Sequence, residues 1–468
     1  MKISTTSGIV AGTQQNGHYR FTGIPFGEAE RFKRPQPYHK GGTQPVNIEQ
    51  IQPLQPLMKV SPEQLKDPIV AMFAPAADTK VGEECLNLRV TTPNVKGKLP
   101  VVIDIFGGGF TMGGNSITPT MRWLEDAPVV YVAINYRVSI LGWSCFREGD
   151  TNCGLYDQAL AIKWVVSNIA QFGGDPGKIT LVGSSAGAKS ISALMASNFD
   201  VMDQIKNVWT VSGAFQTIRD MKTAQKISER FLTTNELSNG RDLLTATPDT
   251  IIAAIAKYND HANTNDFGPV IDEEAISSSW PDVLQERLNL HPYAVVVSSS
   301  SNEYGMQTKM AKGNPAILRQ SANDLFGENA DLVLKGTQTA AEMGRAIGYA
   351  MYRLPADRAA QRYATNANTT VYNLHASVLG GTHTSDALLM NLATALPDSR
   401  PLIKQLQAAF LAFVQTGKPT LTPEVQLQWP VYRSDSKRIL QLSNAGFSID
   451  RLSSEITENP LPVQALIL

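Results

Sequence analysis

The run Ile179-Thr180-Leu181-Val182-Gly183-Ser184-Ser185-Ala186-Gly187 constrains the fold of this chain more than any other stretch. A short apolar strand ends there in a G-x-S-x-G pentapeptide, and the residues that follow read as helix. A turn from strand to helix this sharp leaves no room for side chains at its flanks. Glycines are needed on both sides, and the enclosed serine oxygen projects outward. Ser185 is the candidate nucleophile. Alone, the pentapeptide is equally compatible with a Gly-rich connection that carries no chemistry; the strand before it and the helix after it give it weight.

The neighbouring sequence alternates in the same way. Apolar runs predict strands over 100–106, 129–135, 179–182 and 208–211, and helical spacing predicts helices over 157–172 and 186–196. Further strands are expected over 294–297 and 370–374, after long helical stretches over 217–258 and 316–363. A last helix, over 402–415, stops at Gly417 with Pro419 just beyond. Such alternation implies an α/β fold: a mostly parallel central sheet, helices on both faces, and helical insertions over the active-site edge. With 43% hydrophobic residues in 468, the chain can bury a large core. No repeat, linker or low-complexity tract divides it, so residues 1–468 are expected to form a single domain. The stripe Ile162, Val165, Val166, Ile169 and Phe172 recurs at helical spacing and reads as core.

Charge and cysteine content narrow the function classes. Lys plus Arg number 41 against 42 Asp plus Glu, and no block of like charge stands out. Nucleic acid and membrane surfaces are therefore not expected partners, and small molecules are. The stretch from Met1 to Gly8 has no apolar core of a secretion signal, and no segment approaches about 18 uninterrupted apolar residues, which predicts a soluble, cytoplasmic protein. Cys85, Cys145 and Cys153 are too few for a disulfide framework and are expected to be reduced. No H-E-x-x-H pair or cysteine cluster has metal-ligand spacing, so no metal is expected.

A serine hydroxyl needs a base within hydrogen-bond reach and a third group to orient that base. Of six histidines, His18, His39 and His261 lie in polar surroundings, and His291 and His375 flank predicted strands as surface or packing residues. His383 differs. It sits in Gly380-Gly381-Thr382-His383-Thr384-Ser385-Asp386, a loop just past a strand, where the C-terminal edge of the sheet would form a crevice. Glu303 likewise follows the 294–297 strand. Ser185, Glu303 and His383 thus come in the order serine, acid, histidine. The oxyanion formed on attack needs backbone donors, and Gly107-Gly108-Gly109-Phe110, at the end of the 100–106 strand, offers them together with the amide of Ala186. A triple glycine can also be only a tight loop. Phe110 and Phe215 are candidates to line the pocket, and both could equally be packing residues.

Taken with its other landmarks, the chain resembles the type B carboxylesterase/cholinesterase family of α/β-hydrolases, from about Gly8 to about Leu442. The series runs Phe21-Thr22-Gly23-Ile24-Pro25-Phe26, Glu84-Cys85-Leu86-Asn87-Leu88, the glycine triple, Asn135-Tyr136-Arg137 and Gly154-Leu155-Tyr156-Asp157-Gln158. Phe172-Gly173-Gly174-Asp175-Pro176, the serine turn, Phe267-Gly268-Pro269-Val270-Ile271-Asp272, the His383 loop, Thr416-Gly417-Lys418-Pro419 and Trp429-Pro430-Val431-Tyr432 complete it. The resemblance implies an α/β-hydrolase fold, serine-dependent hydrolysis of small carboxylic esters, and no cofactor. It carries the nucleophile onto Ser185, the base onto His383 and the oxyanion donors onto Gly108, Gly109 and Ala186. Hydrolysis of another acyl bond (thioester, amide or lactone) is the alternative, and a non-catalytic binding member of the family is a further one.

The chain also departs from the family pattern. Ser184 stands where the family has a glutamate, and Tyr304 follows Glu303 where a glycine is usual. Either Glu303 is the acid or the loop is shifted by one; matching from Ser298 without a gap assigns Glu303. Asp272 and Asp386 are the other acids to weigh. No cysteine precedes Cys85, and the region over 41–82 is abbreviated, which implies a more open pocket.

Overall fold

The computed structural model describes residues 1–259, 266–452 and 461. His261 lies outside them. By its contacts the chain forms two units, Met1–Leu181 with Ser197–Ile205 and Arg219–Trp280, and Val182–Ala196 with Lys206–Ile218 and Pro281–Leu468.

In the first unit, strands β1 (His18–Pro25), β2 (Asn87–Thr92), β3 (Leu99–Ile105) and β4 (Val130–Ile134) are joined side by side. β1 pairs antiparallel with β2, β2 antiparallel with β4, and β4 parallel with β3. The β3 and β4 runs match the predicted 100–106 and 129–135 strands. β1 and β2 add an antiparallel portion that period and composition alone do not suggest, because β1 mixes polar and apolar residues and shifts register between Phe21 and Ile24. Gly23, inside that shift, is at φ 61, and a Cβ there would lie 2.0 Å from the carbonyl oxygen of Ile48.

Helix α1 (Cys153–Asn168) continues as a 3-10 turn through Phe172 and ends on Gly173 in the left-handed region at φ 80. Ile162, Val165, Ile169 and Phe172 are fully buried, as the stripe predicts, whereas Val166 is only half-buried. From the start of this helix Asp157 meets Arg137: Nε and Nη2 of the guanidinium donate to the two carboxylate oxygens at 2.9 and 2.7 Å, and the Arg137 amide adds a third bond at 3.0 Å. Both side chains are buried, so removing one partner would strand the other at a cost of about 3–5 kcal/mol. Two of the sequence landmarks, around Arg137 and around Asp157, are thus the halves of one ion pair.

Strand β5 (Gly174–Ser184) carries the chain from the first unit into the second. It starts five residues earlier than the predicted 179–182 strand, directly after Gly173. In the second unit α2 (Ala186–Met195) follows, then β6 (Asn207–Val211), β7 (Tyr293–Ser300), helices α3 (Ala340–Gly348) and α4 (Leu354–Ala364), β8 (Thr369–Ala376), α5 (Ser385–Asn391), α6 (Arg400–Thr416), β9 (Arg438–Ser443) and β10 (Gly446–Arg451). β6, β7, β8 and β9 run parallel in that order, and β10 closes the edge antiparallel to β9. Val295, Val296 and Val297 are all fully buried, the mark of a parallel strand covered on both faces. Each contributes about 1.5 kcal/mol or more by leaving water. Helix α4 packs on β7 and β8, and α2 on β6. Helix α6 ends at Gly417, φ 74, whose amide bonds Phe413.

The three cysteines are free and buried, and burial pushes each thiol up to about 12. Such thiols are unreactive at neutral pH. Among the described residues no helix is long and apolar enough to cross a membrane.

Candidate active site

Ser185 sits between the last residue of β5 and the first of α2, at φ 54 and ψ −117. Non-glycine residues rarely hold such a backbone conformation, and where they do the surroundings must impose it. Here the Ser185 amide donates to Val211 at the end of β6 (2.8 Å), and its carbonyl accepts from Lys189 (3.0 Å). The flanks are tight: a Cβ on Gly183 would lie 2.6 Å from the Gly187 carbonyl carbon, and one on Gly213 would lie 2.6 Å from the Ser185 oxygen. Ser185 itself is half-buried. As the first residue of α2, Ala186 has an amide without an acceptor inside its own helix.

Glu303 follows the end of β7 and is 2% exposed. Its Oε1 accepts from the Ser212 hydroxyl at 2.8 Å and from the Ser300 amide at 2.6 Å, and its Oε2 lies 2.5 Å from Nδ1 of His383. Ser212 lies at φ 52 just past β6, and its hydroxyl in turn accepts from the Thr384 amide at 3.2 Å. One small hydroxyl therefore ties the acid to the loop that carries the histidine. Sequence reasoning passed over Ser212. The signal that could have found it is its place in Val211-Ser212-Gly213, at a strand end like the other residues of the site.

His383 projects from a loop in which Leu379, Gly380, Gly381 and Thr384 all have positive φ. Its side chain is 25% exposed, and Nε2 is buried without a hydrogen-bond partner. Glu303 and His383 are brought together directly. No hydrogen bond joins Ser185 to His383 in this state, although both belong to the second unit.

The glycine loop is in the first unit. Gly108 (φ 128), Gly109 (φ 63) and Phe110 (φ 63) are consecutive positive-φ residues. A Cβ at Gly108 would lie 2.1 Å from the Met112 carbonyl oxygen, so only glycine fits. The Gly108 carbonyl accepts from the Thr111 and Met112 amides, both at 3.1 Å. The amides of Gly108 and Gly109 themselves have no acceptor among the described residues. Consecutive amides left free in a left-handed turn make a concave anion-binding surface. Phe110 is fully buried and lies edge-on to Trp143 at 4.8 Å. It is a core residue; Phe215, 4% exposed, packs on Tyr363.

Asp272 and His375 are engaged elsewhere. Asp272 accepts from Thr151 Oγ1, Asn152 Nδ2 and the amides of Glu274, Ala275 and Ile276, and so organises its own loop. His375 is buried, with Nε2 on Asp357 and Nδ1 on Arg353, each at 2.8 Å. Asp386, in the first turn of α5, is fully buried. Burial pushes its carboxyl up to about 6, against the opposing pull of the Ser298 hydroxyl and the amides at the helix start.

The sign of the Asp386 effect is definite. The unfolded carboxyl ionises near the usual value of about 4, whereas the folded one keeps its proton to about 6. Stability therefore falls as pH rises through that window, and the whole cost stands above it. Asp386→Asn should stabilise the protein at pH 8 by roughly 1–3 kcal/mol, each tenfold change in proton affinity being about 1.4 kcal/mol. The gain should vanish below about pH 4. Urea unfolding of both proteins at the two pH values checks this, and an equal difference at both would show that ionisation is not its source.

The chain is similar to known proteins over much of its length. The carboxylesterase family model matches residues 1–379. Phenmedipham hydrolase of Pseudarthrobacter oxydans is 26% identical over 492 aligned positions, covering 96% of each chain. Liver carboxylesterase of Sus scrofa is 28% identical over 63% of this chain and 56% of its own. Lipase 2 of Geotrichum candidum is 34% identical, but the match spans only 39% of this chain and 38% of the lipase. Among solved structures, a thermophilic PNB esterase superposes with a TM-score of 0.80 at 22% identity, over 96% of this chain and 97% of that one. A carboxylesterase of Geobacillus stearothermophilus gives 0.77 at 22% identity, with 96% and 97% covered. At such identities the likeness shows the fold, which is that of the α/β-hydrolases.

Proposed function

The chain belongs to the carboxylesterase family, and we propose that it hydrolyses carboxylic esters of small molecules through an acyl-enzyme formed on Ser185. In this reading Ser185 Oγ attacks the ester carbonyl carbon and its proton passes to Nε2 of His383. Glu303, on Nδ1, keeps the proton of the neutral imidazole on that nitrogen, so that Nε2 is an acceptor, and it stabilises the imidazolium once formed. The negative charge on the carbonyl oxygen is taken by the amides of Gly108, Gly109 and Ala186. The alcohol leaves with the proton held by His383. A water, deprotonated by the same nitrogen, then attacks the acyl carbon and frees the acid and Ser185. The residues named need no cofactor for any of these steps.

One observation carries the reading: a buried carboxylate at 2.5 Å from Nδ1 of a histidine whose other nitrogen is buried and unpartnered. The glycine loop supports it with two backbone amides left free. A fluorophosphonate should add once to the protein and map by mass spectrometry to Ser185, and ester turnover should exceed that of matched thioester and amide substrates. An adduct elsewhere, or none, would overturn the assignment of the nucleophile. Faster turnover of the thioester or amide would move the substrate class and leave the residues in place.

A further inference from the structure

His383 is held by hydrogen bonding at one nitrogen only, and a single bond at Nδ1 leaves the ring free to pivot about that bond and swing Nε2 out of line. Main-chain bonds fix the loop on either side of it, Asn302 N to Gly381 O at 2.8 Å and Thr384 N to Ser212 Oγ at 3.2 Å, but they do not reach the ring. What lies against the ring is Tyr352, 5% exposed, with centroids 4.4 Å apart and planes inclined at 50°.

Tyr352 comes from Tyr349–Arg353, a π-helical turn between α3 and α4. Such turns are uncommon and recur at functional positions, because the inserted residue redirects a side chain. This one is fixed on three sides. Gly348, just before it, approaches Tyr304 so closely that a Cβ would lie 2.8 Å from the Tyr304 amide. The carbonyl of Met351 accepts from Gln216 at 3.0 Å. Arg353 donates to Nδ1 of His375, whose Nε2 donates to Asp357, and Asn373 donates to the same carboxylate oxygen at 2.8 Å. The Tyr352 ring also lies against a cation: Nζ of Lys189, one turn past Ser185 and 1% exposed, is 4.9 Å from its centroid.

We propose that Tyr352, clamped between Lys189 and the π-turn, is a positioning residue that sets the plane of the His383 imidazole. The proposal rests on the assignment of His383 as the base. The charged and titratable groups around the imidazole are Glu303 on Nδ1, Tyr352 against the ring, Lys189 beyond it, and Asp386, which is buried and interacts electrostatically with Glu303. The Arg353, His375 and Asp357 cluster lies behind the π-turn. Glu303 favours the imidazolium that catalysis must form.

Misplacing a base by about 1 Å costs up to about 10²-fold, so Tyr352→Leu should lower kcat by roughly 10- to 100-fold with KM changed less than about threefold. Tyr352→Phe keeps the ring and should keep kcat within about threefold. A native kcat in Tyr352→Leu would overturn the proposal. So would a rise in KM alone, the sign of a mere pocket wall, or equal damage in the Phe and Leu variants. Should Ser185→Ala remain active, the underlying reading fails as well. If Ser185→Ala is inactive while Tyr352→Leu is native, only the positioning role fails.

Discussion

Ser185→Ala should lower kcat for an activated ester by roughly 10³-fold or more while leaving the unfolding midpoint close to native. The size follows from what remains. Without the hydroxyl no acyl-enzyme forms, and the backbone donors and His383 can assist only direct attack by water. Stability should hold because the strained backbone at φ 54 and ψ −117 costs alanine no more than it costs serine. The hydrogen bonds that fix this turn, Ser185 N to Val211 O and Lys189 N to Ser185 O, are also made by the main chain. Ser184→Ala is the control, since the neighbouring serine is not the residue of the left-handed turn, and that variant should still be labelled by a serine-directed probe. Near-native turnover in Ser185→Ala would remove the proposed mechanism.

The sequence was most legible where burial is uniform and least legible where polar residues sit at strand ends. The predicted 294–297 and 370–374 strands are the apolar middles of Tyr293–Ser300 and Thr369–Ala376. What lies beyond those middles is polar yet buried, as at Ser298, Ser299 and Ser300. A polar residue reads as the end of a strand, but here two of these hydroxyls are paired inside, Ser298 Oγ with the Thr210 carbonyl at 3.4 Å and Ser300 Oγ with Ser385 Oγ at 3.1 Å, and Ser212 Oγ bonds Glu303. The candidate site is built from these strand ends, so its order along the chain could be read while its supporting hydroxyls could not. The 316–363 stretch shows a different limit. Periodicity identifies it as helical and has no means to mark the single added residue of the π-turn, nor a contact from Tyr352 to His383 across 31 positions of chain. Arg137 and Asp157 could be named as landmarks, but that they are partners depends on packing across 20 residues.

Glu303→Gln should cost on the order of 10²- to 10⁴-fold in kcat, with KM changing far less. The amide is close to isosteric, and its oxygen can still accept from Ser212 Oγ and the Ser300 amide, so the loop should keep its shape. Its nitrogen, however, is only a donor, and it would face Nδ1 of His383 at the position where a carboxylate oxygen now lies at 2.5 Å. The imidazole would then carry its proton on Nε2, and that nitrogen could no longer accept from Ser185; the imidazolium would also lose its counter-charge. Neither competing acid has this relation to the ring. Asp272 spends its oxygens on Thr151, Asn152 and three amides of its own loop. Asp386 makes no hydrogen bond to His383 and, with its carboxyl pushed up to about 6, carries a weaker claim to the role of a permanent anion. Asp272→Asn and Asp386→Asn should each cost clearly less activity than Glu303→Gln. If Asp386→Asn were the most damaging of the three, Glu303 would lose its assignment as the acid, and the roles proposed for Ser185 and His383 would be unaffected.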